Sequence, residues 1–159
     1  YEYWAERADA RVRRARCESP SPCDILLTVL SWGGDGTATP ELLSVVESAL
    51  SGAKDRPQGD RLTVQSVEVL HYTLEATVVF YYGQDTEAGL DLCRTQLAAY
   101  QTAHFTMGHD LTLHNLAAAM NHAGVYTIDI ASPAQDIVCA PHQIAYCDGI
   151  TLTNGGYGE

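Results

Sequence analysis

Residues 60–83 alternate between apolar and polar side chains over a length that is typical of β-structure. Successive side chains of a strand point to opposite faces, so every second residue lies on the same side. A strand with one apolar face needs another layer to cover that face, so the chain must build a sheet that is packed on one side. The residues predicted on that side are Leu62, Val64, Leu74, Ala76, Val78, Phe80 and Tyr82.

A helix is predicted upstream of this pattern, beginning at residue 39. Thr39 is a good N-cap, Pro40 suits the first helical position, and Glu41 lies where the helix dipole favours an anion. The helix is expected to end near Gly52, and its apolar residues form one stripe. That stripe comprises Leu42, Val45, Val46, Ala49 and Leu50.

Two further helices are predicted in the second half of the chain. Asp85 or Thr86 caps the first, which runs to about residue 104, and Thr112 caps the second. Gly124 is expected to end the second helix in the left-handed conformation that glycine adopts readily. The apolar residues at helical spacing are Leu90, Leu97 and Tyr100 in the first helix and Leu113, Leu116, Ala117 and Met120 in the second.

Short apolar runs predict the other strands. Residues 25–30 form a continuous apolar run that is typical of a buried strand, residues 125–130 alternate, and residues 143–153 supply a last strand. The predicted order is β-α-β-β-α-α-β-β, which indicates an α+β fold with a mostly antiparallel sheet and packed helices. With 159 residues the chain makes one domain, or two small lobes that share one core.

Three segments are expected along the chain. Residues 1–23 are a basic segment and a proline-rich connector, because the prolines in the run SPSPC at residues 19–23 exclude helix. Residues 24–83 form a β-α-β-β lobe, and residues 84–159 form an α-α-β-β lobe. A hydrophobic share of 46% against 18% charged residues favours a folded chain.

The net charge of −11 is unevenly distributed. Residues 1–16 hold five arginines and three acidic residues, a net +2, whereas the rest of the chain holds four basic and 17 acidic residues, a net −13. Such an acidic body repels a phosphate backbone, so no nucleic-acid partner is expected. No apolar run approaches the roughly 18 residues of a membrane helix, so no membrane partner is expected either.

The arginine run near the N-terminus has two interpretations. The simpler one is a solvated helix or strand, because acidic residues and alanines are interspersed with the arginines. The alternative is an arm that docks on a partner. The arginines concerned are Arg7, Arg11, Arg13, Arg14 and Arg16.

Five cysteines, an odd number, are expected to remain free thiols in a reducing compartment. Cys139, His142 and Cys147 offer a loose C-x2-H-x4-C spacing that lacks a fourth ligand, whereas structural zinc needs four. Histidines recur every five residues from His104 to His114, a period that spreads side chains around a helix. The sequence therefore predicts no metal site and no cofactor.

The run GGDGT at residues 33–37 is the sharpest signal for enzymatic chemistry. A glycine-rich turn between a strand and a helix can bind phosphate through backbone N–H groups. The run resembles the GGDGT motif of NAD and diacylglycerol kinases, so a nucleotide-binding, kinase-like domain is the alternative function. Glycine and aspartate also suit a tight structural turn, the helix begins only at Pro40, and no lysine or arginine lies nearby in sequence. The structural turn is preferred, and no enzymatic activity is expected.

Other catalytic patterns give no candidate. The chain has no G-x-S-x-G, H-E-x-x-H or P-loop run. Tyr81, Tyr82 and Tyr126 are able to stack on sugars or bases, but aromatic residues on strands usually belong to a core or an interface. No catalytic residue is therefore predicted.

Nine short stretches carry a family resemblance through their order and spacing. In the N-terminal half they are SPSP at residues 19–22, DILLTVLS at 24–31, GDGT at 34–37 and DRLTVQS at 60–66. In the C-terminal half they are GHDLT at 108–112, GV at 124–125, ASPA at 131–134, AYC at 145–147 and ITLT at 150–153. Together they resemble the baseplate J-like proteins, wedge components of contractile phage tails and related injection machines.

The resemblance implies a structural protein of the baseplate ring, present in several copies around the tail axis, without catalytic residues or cofactor. It implies wedge and hub proteins and further copies of the chain as partners, the virion tail baseplate as location, and assembly in the cytoplasm of the bacterial host. It also implies a family protein that extends upstream of this chain. Two positions depart from the pattern: Cys23, where glycine is usual, and His109, where arginine is usual.

Overall fold

The computed structural model describes residues 1–52, 57 and 59–158. The chain forms two compact units, and each has a hydrophobic core of its own, whereas the sequence suggested lobes that share one core. Unit 1 comprises residues 1–69, 106–108 and 140–144, and unit 2 comprises residues 70–105, 109–139 and 145–159.

Unit 1 is a three-stranded sheet with two helices. Its elements are α1 (Glu2–Ala8), β1 (Val12–Ser21), β2 (Asp24–Ser31), α2 (Pro40–Ser51) and β3 (Arg61–Ser66). The sheet order is β1-β2-β3, with β1 antiparallel and β3 parallel to β2. The parallel pair arises because α2 carries the chain from one end of β2 back to the start of β3. The core residues are Ala5, Val12, Ala15, Leu27, Val29, Ala38, Leu42, Val46 and Leu50.

Helix α2 begins and ends as the sequence predicts. Oγ1 of Thr39 accepts a hydrogen bond from the N–H of Leu42 at 3.3 Å, and Gly52 is the C-cap. The buried stripe is narrower than predicted, because Val45 is 39% exposed and Ala49 is exposed as well. The sheet covers only one narrow side of the helix, and every fourth side chain lies on that side. The buried positions are Leu42, Val46 and Leu50.

The predicted connector at residues 19–23 is the end of β1 and a tight turn. β1 runs to Ser21, which pairs with Asp24 at the start of β2. Prolines are tolerated here because β1 is an edge strand and its outer N–H groups need no ladder partner. Cys23 has a φ of 65°, in the left-handed region that favours glycine, and it stands where the family pattern has glycine.

Replacing Cys23 by glycine is expected to raise the free energy of unfolding by about 0.5–1 kcal/mol. The left-handed conformation costs an L-residue about 1–2 kcal/mol, which exceeds the extra freedom that glycine gives the unfolded chain. Urea denaturation measures the change. Cys23→Ala is the matched control, because it removes the thiol and keeps the Cβ atom. Equal gains in both variants would contradict the prediction.

Unit 2 is built on β4, the central strand of a second sheet. Its elements are β4 (Glu68–Tyr81), α3 (Thr86–Ala103), α4 (Leu113–Met120), β5 (Val125–Ser132) and β6 (Gln143–Gly158). The sheet order is β5-β4-β6, and β5 is antiparallel to β4. β6 runs in the same direction as β4, since His71 contacts Asp148 and Val78 lies beside Gly155 further along both strands.

The α+β prediction is confirmed. Helix α1 and strand β1 precede the predicted order, and both sheets are mixed, because each contains one antiparallel and one parallel neighbour pair. Unit 2 begins at residue 70, within β4. β4 belongs there because its buried face packs in the core of α3 and α4, which follow it in sequence.

The alternation on β4 is confirmed up to the end of the strand. Leu74, Val78 and Phe80 are fully buried, whereas Tyr82 lies past the strand and is 67% exposed. The core of unit 2 consists of Tyr72, Leu74, Ala76, Val78, Phe80, Cys93, Leu97, Leu111, Leu116, Met120, Val125 and Leu152.

The two helices of unit 2 start at the predicted caps. Oδ1 of Asp85 accepts hydrogen bonds at the start of α3, and Oγ1 of Thr112 accepts one at the start of α4. The predicted end of α4 is wrong: Asn121 is the C-cap with extended backbone, and Gly124 does not adopt a positive φ. Among the described residues, no helix has the length and apolar character required to cross a membrane.

Candidate interaction surfaces

The GGDGT turn uses its own backbone donors. The N–H of Gly36 donates to the carbonyl of Gly33 at 3.0 Å. The N–H of Thr37 donates to Oδ1 of Asp35 at 3.0 Å. The N–H of Gly33 donates to Oγ of Ser31 at 3.2 Å. A phosphate would have to displace these bonds, so the geometry favours a structural turn over a nucleotide site.

The cysteines are unpaired thiols, and the two most buried are poorly suited to ligation. Burial raises the pKa of Cys93 and of Cys139, which keeps these thiols protonated. The thiol of Cys93 donates to the carbonyl of Met120 at 3.2 Å. Within the ranges that the structure describes, no group of three or more His, Cys, Asp or Glu side chains is arranged to hold a metal ion. The free cysteines are Cys17, Cys23, Cys93, Cys139 and Cys147.

Two histidines that the sequence placed on different sides of a helix meet in the structure. The rings of His104 and His109 stack with their centroids 4.8 Å apart, and the ring of Tyr100 lies 4.5 Å from His104. The spacing argument failed because α3 ends at Ala103 and the helical period stops there. His109 is therefore part of an aromatic stack, and its Nε2 atom is buried.

The predicted interface arginines lie on α1 and on the edge strand β1. Arg7 lies in the last turn of α1, and its guanidinium is 4.9 Å from the ring centroid of Tyr3. Arg11 pairs with Asp9 at 2.8 Å, and its hydrogen bonds lower the pKa of that carboxyl to about 2. Both arginines remain exposed.

The other arginines follow along β1. The guanidinium of Arg13 lies over the ring of Trp32, 4.9 Å from its centroid. Ala15 is buried in the core, so its neighbours Arg14 and Arg16 project to the opposite side of the strand, where both are exposed. Arg14 lies 3.9 Å from Glu6, and 64% of its side chain is exposed.

Exposed aromatic rings accompany these arginines, which sequence reasoning missed. Trp32 is 65% exposed, Tyr3 59% and Trp4 52%, and the rings of Tyr3 and Trp4 meet edge to face. Trp, Tyr and Arg are the residue types that dominate binding energy at protein interfaces. We call these arginines of residues 7–16 and the accompanying aromatic residues the N-terminal basic surface. It comprises Arg7, Arg11, Arg13, Arg14 and Arg16 together with Tyr3, Trp4 and Trp32.

Two pairs of tyrosines lie at one end of the sheet in unit 2. The rings of Tyr81 and Tyr126 contact edge to face with centroids 5.6 Å apart, and the rings of Tyr82 and Tyr157 stack at the same separation. The hydroxyl of Tyr157 donates to the carbonyl of Gln84 at 3.1 Å. We call these four residues the tyrosine cluster. The sequence assigned three of them, Tyr81, Tyr82 and Tyr126, to a core or an interface and missed Tyr157, which the long-range pairing of β6 brings beside Tyr82.

The C-terminal end of β6 reaches the tyrosine cluster through close backbone approaches. A Cβ atom on Gly155 would lie 2.7 Å and 2.8 Å from methyl groups of Thr77 and Val79. Gly158 lies directly against the ring of Tyr126. Glycine is required at these positions because the backbone runs where side chains would otherwise be.

The stretch GHDLT, which contributes to the family resemblance, has a structural role. Oδ1 of Asp110 accepts a hydrogen bond from the N–H of Cys139 at 2.9 Å. Leu111 and Ile137 exchange two backbone hydrogen bonds of 2.8 Å, and Thr112 caps α4. This part of the motif holds the loop before β6 in place and presents no reactive group.

Comparison with known proteins places the chain in a family. Residues 72–153 match the model of the baseplate J-like protein C-terminal domain. The chain is 36% identical over all 159 residues to baseplate protein J of Escherichia phage P2, of which it spans about half, 53%. The chain belongs to the baseplate J-like protein family, and the resemblance drawn from the sequence is confirmed.

A solved structure has the same fold. A chain in the cryo-EM structure of the anti-feeding prophage (AFP) baseplate, 6-fold symmetrised, matches with a TM-score of 0.60 over 92% of this chain and 36% of the other. The identity is 11%, so the likeness concerns the fold alone.

Proposed function

We propose that the chain is a structural component of a contractile-tail baseplate wedge, forms the ring around the tail hub through protein–protein contacts, and is not an enzyme. The family match over residues 72–153 carries this proposal. The GGDGT turn supports it against the kinase-like alternative, because three of its five backbone donors, those of Gly33, Gly36 and Thr37, are already bonded within the chain.

The partners proposed are other wedge and hub proteins and further copies of the chain, within a virion tail baseplate that assembles in the bacterial host cytoplasm. Neither nucleic acid nor membrane is a partner in this proposal. The excess of 20 acidic over nine basic residues supports the absence of a nucleic-acid partner, since negative charge repels phosphate backbones.

The N-terminal basic surface is the contact surface proposed first. Four of its arginines are exposed and Arg13 is half-buried, and the guanidinium groups of Arg7 and Arg13 lie over the exposed rings of Tyr3 and Trp32. A guanidinium that stacks on a ring and pairs with a carboxylate gives both binding energy and a defined orientation. The rest of the chain is acidic, so an acidic face of a neighbouring subunit complements this surface.

Charge reversal tests this surface in the assembled particle. The Arg14→Glu/Arg16→Glu double variant is expected to reduce incorporation into baseplates about tenfold or more, because two glutamates then face the carboxylates of the partner and are repelled by them. Quantitative mass spectrometry of purified tail particles measures the copy number, and circular dichroism verifies folding. Arg94→Glu on α3 is the control and should be incorporated normally. Normal incorporation of the double variant would contradict the role of this surface as a contact. Absence of the wild-type chain from the particles would contradict the proposed function.

A further inference from the structure

The tyrosine cluster exposes more aromatic surface than its own unit covers. Tyr82 is 67% exposed, Tyr157 48%, Tyr126 45% and Tyr81 43%. An aromatic side chain has about 150–250 Å² to bury, so four rings exposed to this degree leave about 300–500 Å² of aromatic surface, divided between two ring pairs at the same end of the sheet. An exposed apolar area of this size equals the largest patch that a typical monomer shows, and such patches are often functional.

The rings are already held in place. Tyr82 and Tyr157 stack with an angle of 17° between their planes, and the hydroxyl of Tyr157 is bonded to the backbone at Gln84. Gly158 lies against Tyr126, which limits the movement of that ring. Binding of a partner to this surface therefore costs little conformational entropy, because the side chains are already ordered.

The surroundings of the cluster are acidic. Among the described residues of unit 2, eight are acidic and only Arg94 is basic. Asp85 and Glu87 follow Tyr82 closely at the start of α3, and Asp129 is exposed on β5 three residues after Tyr126. An aromatic patch with carboxylates at its rim suits arginine, which stacks on a ring and pairs with a carboxylate at the same time.

The chain carries a surface of the complementary kind. Five of its nine basic residues are the arginines of the N-terminal basic surface in unit 1. We infer that the tyrosine cluster of one copy is the docking site for the N-terminal basic surface of a second copy. This inference rests on the proposed function and adds to it the surface that receives the arginines.

Such a contact joins two different surfaces and is therefore heterologous. Each copy uses its arginines on one neighbour and its tyrosines on the other, so contacts of this type build rings or filaments and not closed pairs. Two variants that each lack one surface should then fail to self-associate but still bind each other. The mixed complex stops at the dimer, because each partner has only one usable surface.

The experiment uses the full chain at low salt, from micromolar to millimolar protein, in sedimentation velocity. Tyr82→Ser/Tyr157→Ser removes the cluster, and Arg14→Glu/Arg16→Glu removes the basic surface. Each variant is expected to self-associate about tenfold or more weakly than the wild type, and an equimolar mixture is expected to form a dimer at near wild-type affinity. Added salt should weaken this dimer, because charge pairs hold part of it.

The control replaces exposed apolar residues of unit 2 outside the cluster. Leu92→Ser/Val138→Ser removes side chains that are 43% and 72% exposed and should self-associate within about twofold of the wild type. Tyr82→Ser alone serves if the double tyrosine variant fails to fold. Wild-type association without the tyrosines, a mixture that stays monomeric, or a wild type that is monomeric throughout overturns the inference.

The particle assay separates this inference from the proposed function. Normal incorporation of Tyr82→Ser/Tyr157→Ser beside a normally incorporated wild type overturns the docking site and leaves the baseplate role standing. A wild-type chain that is absent from particles overturns the baseplate role, and the mixing experiment then still decides whether the two surfaces bind.

Discussion

Replacing Gly89 by alanine is expected to lower the free energy of unfolding by about 1–3 kcal/mol. At an exposed helix position the same change would stabilise by about 1 kcal/mol, because alanine is the better helix former. At Gly89, packing reverses the sign of the expected change in the free energy of unfolding. A Cβ atom on Gly89 would overlap Cε1 of Phe80 and lie 3.0 Å from Cζ, and Phe80 is fully buried with no space to retreat.

A double-mutant cycle identifies the cause of this loss. Phe80→Leu removes the ring that the new methyl group would meet, so Gly89→Ala should cost less in that background than in the wild type. Denaturant unfolding of the four proteins measures the coupling. A stabilised Gly89→Ala protein, or an equal cost in both backgrounds, contradicts the close approach of α3 to β4.

Replacing Gly155 by alanine is expected to cost about 1–3 kcal/mol or to detach the C-terminal end of β6 from the sheet. The new methyl group would lie under 3 Å from the methyl groups of Thr77 and Val79 and 3.3 Å from the carbonyl of Val78. Short β-branched side chains on a strand cannot swing away as long side chains do. Detachment would also separate Tyr157 from Tyr82.

Gly149→Ala on the same strand is the matched control. A Cβ atom there would meet nothing within 4 Å, and its φ is not in the left-handed region, so its stability should stay within about 0.5 kcal/mol of the wild type. Urea denaturation measures both variants, and tyrosine fluorescence reports on the cluster. Equal stabilities for the two alanine variants contradict the proposed packing of β6.

Elements with strong local signals were predictable from the sequence. Thr39 and Pro40 mark the start of α2 through capping and a preset φ, which are properties of neighbouring residues. The alternation from Leu74 to Phe80 predicts the buried face of β4 because a strand allows only two faces. The cap at Asp85 is equally local.

Strand β1 was not predictable in the same way. Its sequence mixes arginines with prolines and shows no simple alternation, because a bulge shifts the register between Val12 and Arg14. The segment becomes a strand through its ladder with β2, so its conformation depends on a partner and not on its own residues. The role of Gly124 was not predictable either. The sequence suggested it as the cap of α4, but α4 ends at Met120 and leaves Gly124 outside the helix.

In the candidate surfaces, too, some features follow from the local sequence and others only from contacts between distant residues. The five arginines were visible as a charge run, and the exposure of four of them follows from the rule that charged side chains stay in water. Trp32 beneath Arg13, and Tyr157 beside Tyr82, are contacts between residues far apart in sequence. No local period encodes such contacts.

The sequence by itself determined the α+β class, the caps and core faces of the main elements, the charge asymmetry and the family. These follow from short-range sterics, side-chain periodicity and an ordered set of motifs. The tertiary structure alone decided the two separate cores, the mixed sheets, and the two tyrosine pairs at the end of β4. Those features depend on which strands pair across long loops, and the free energy of such pairing belongs to the packed whole and not to any one segment.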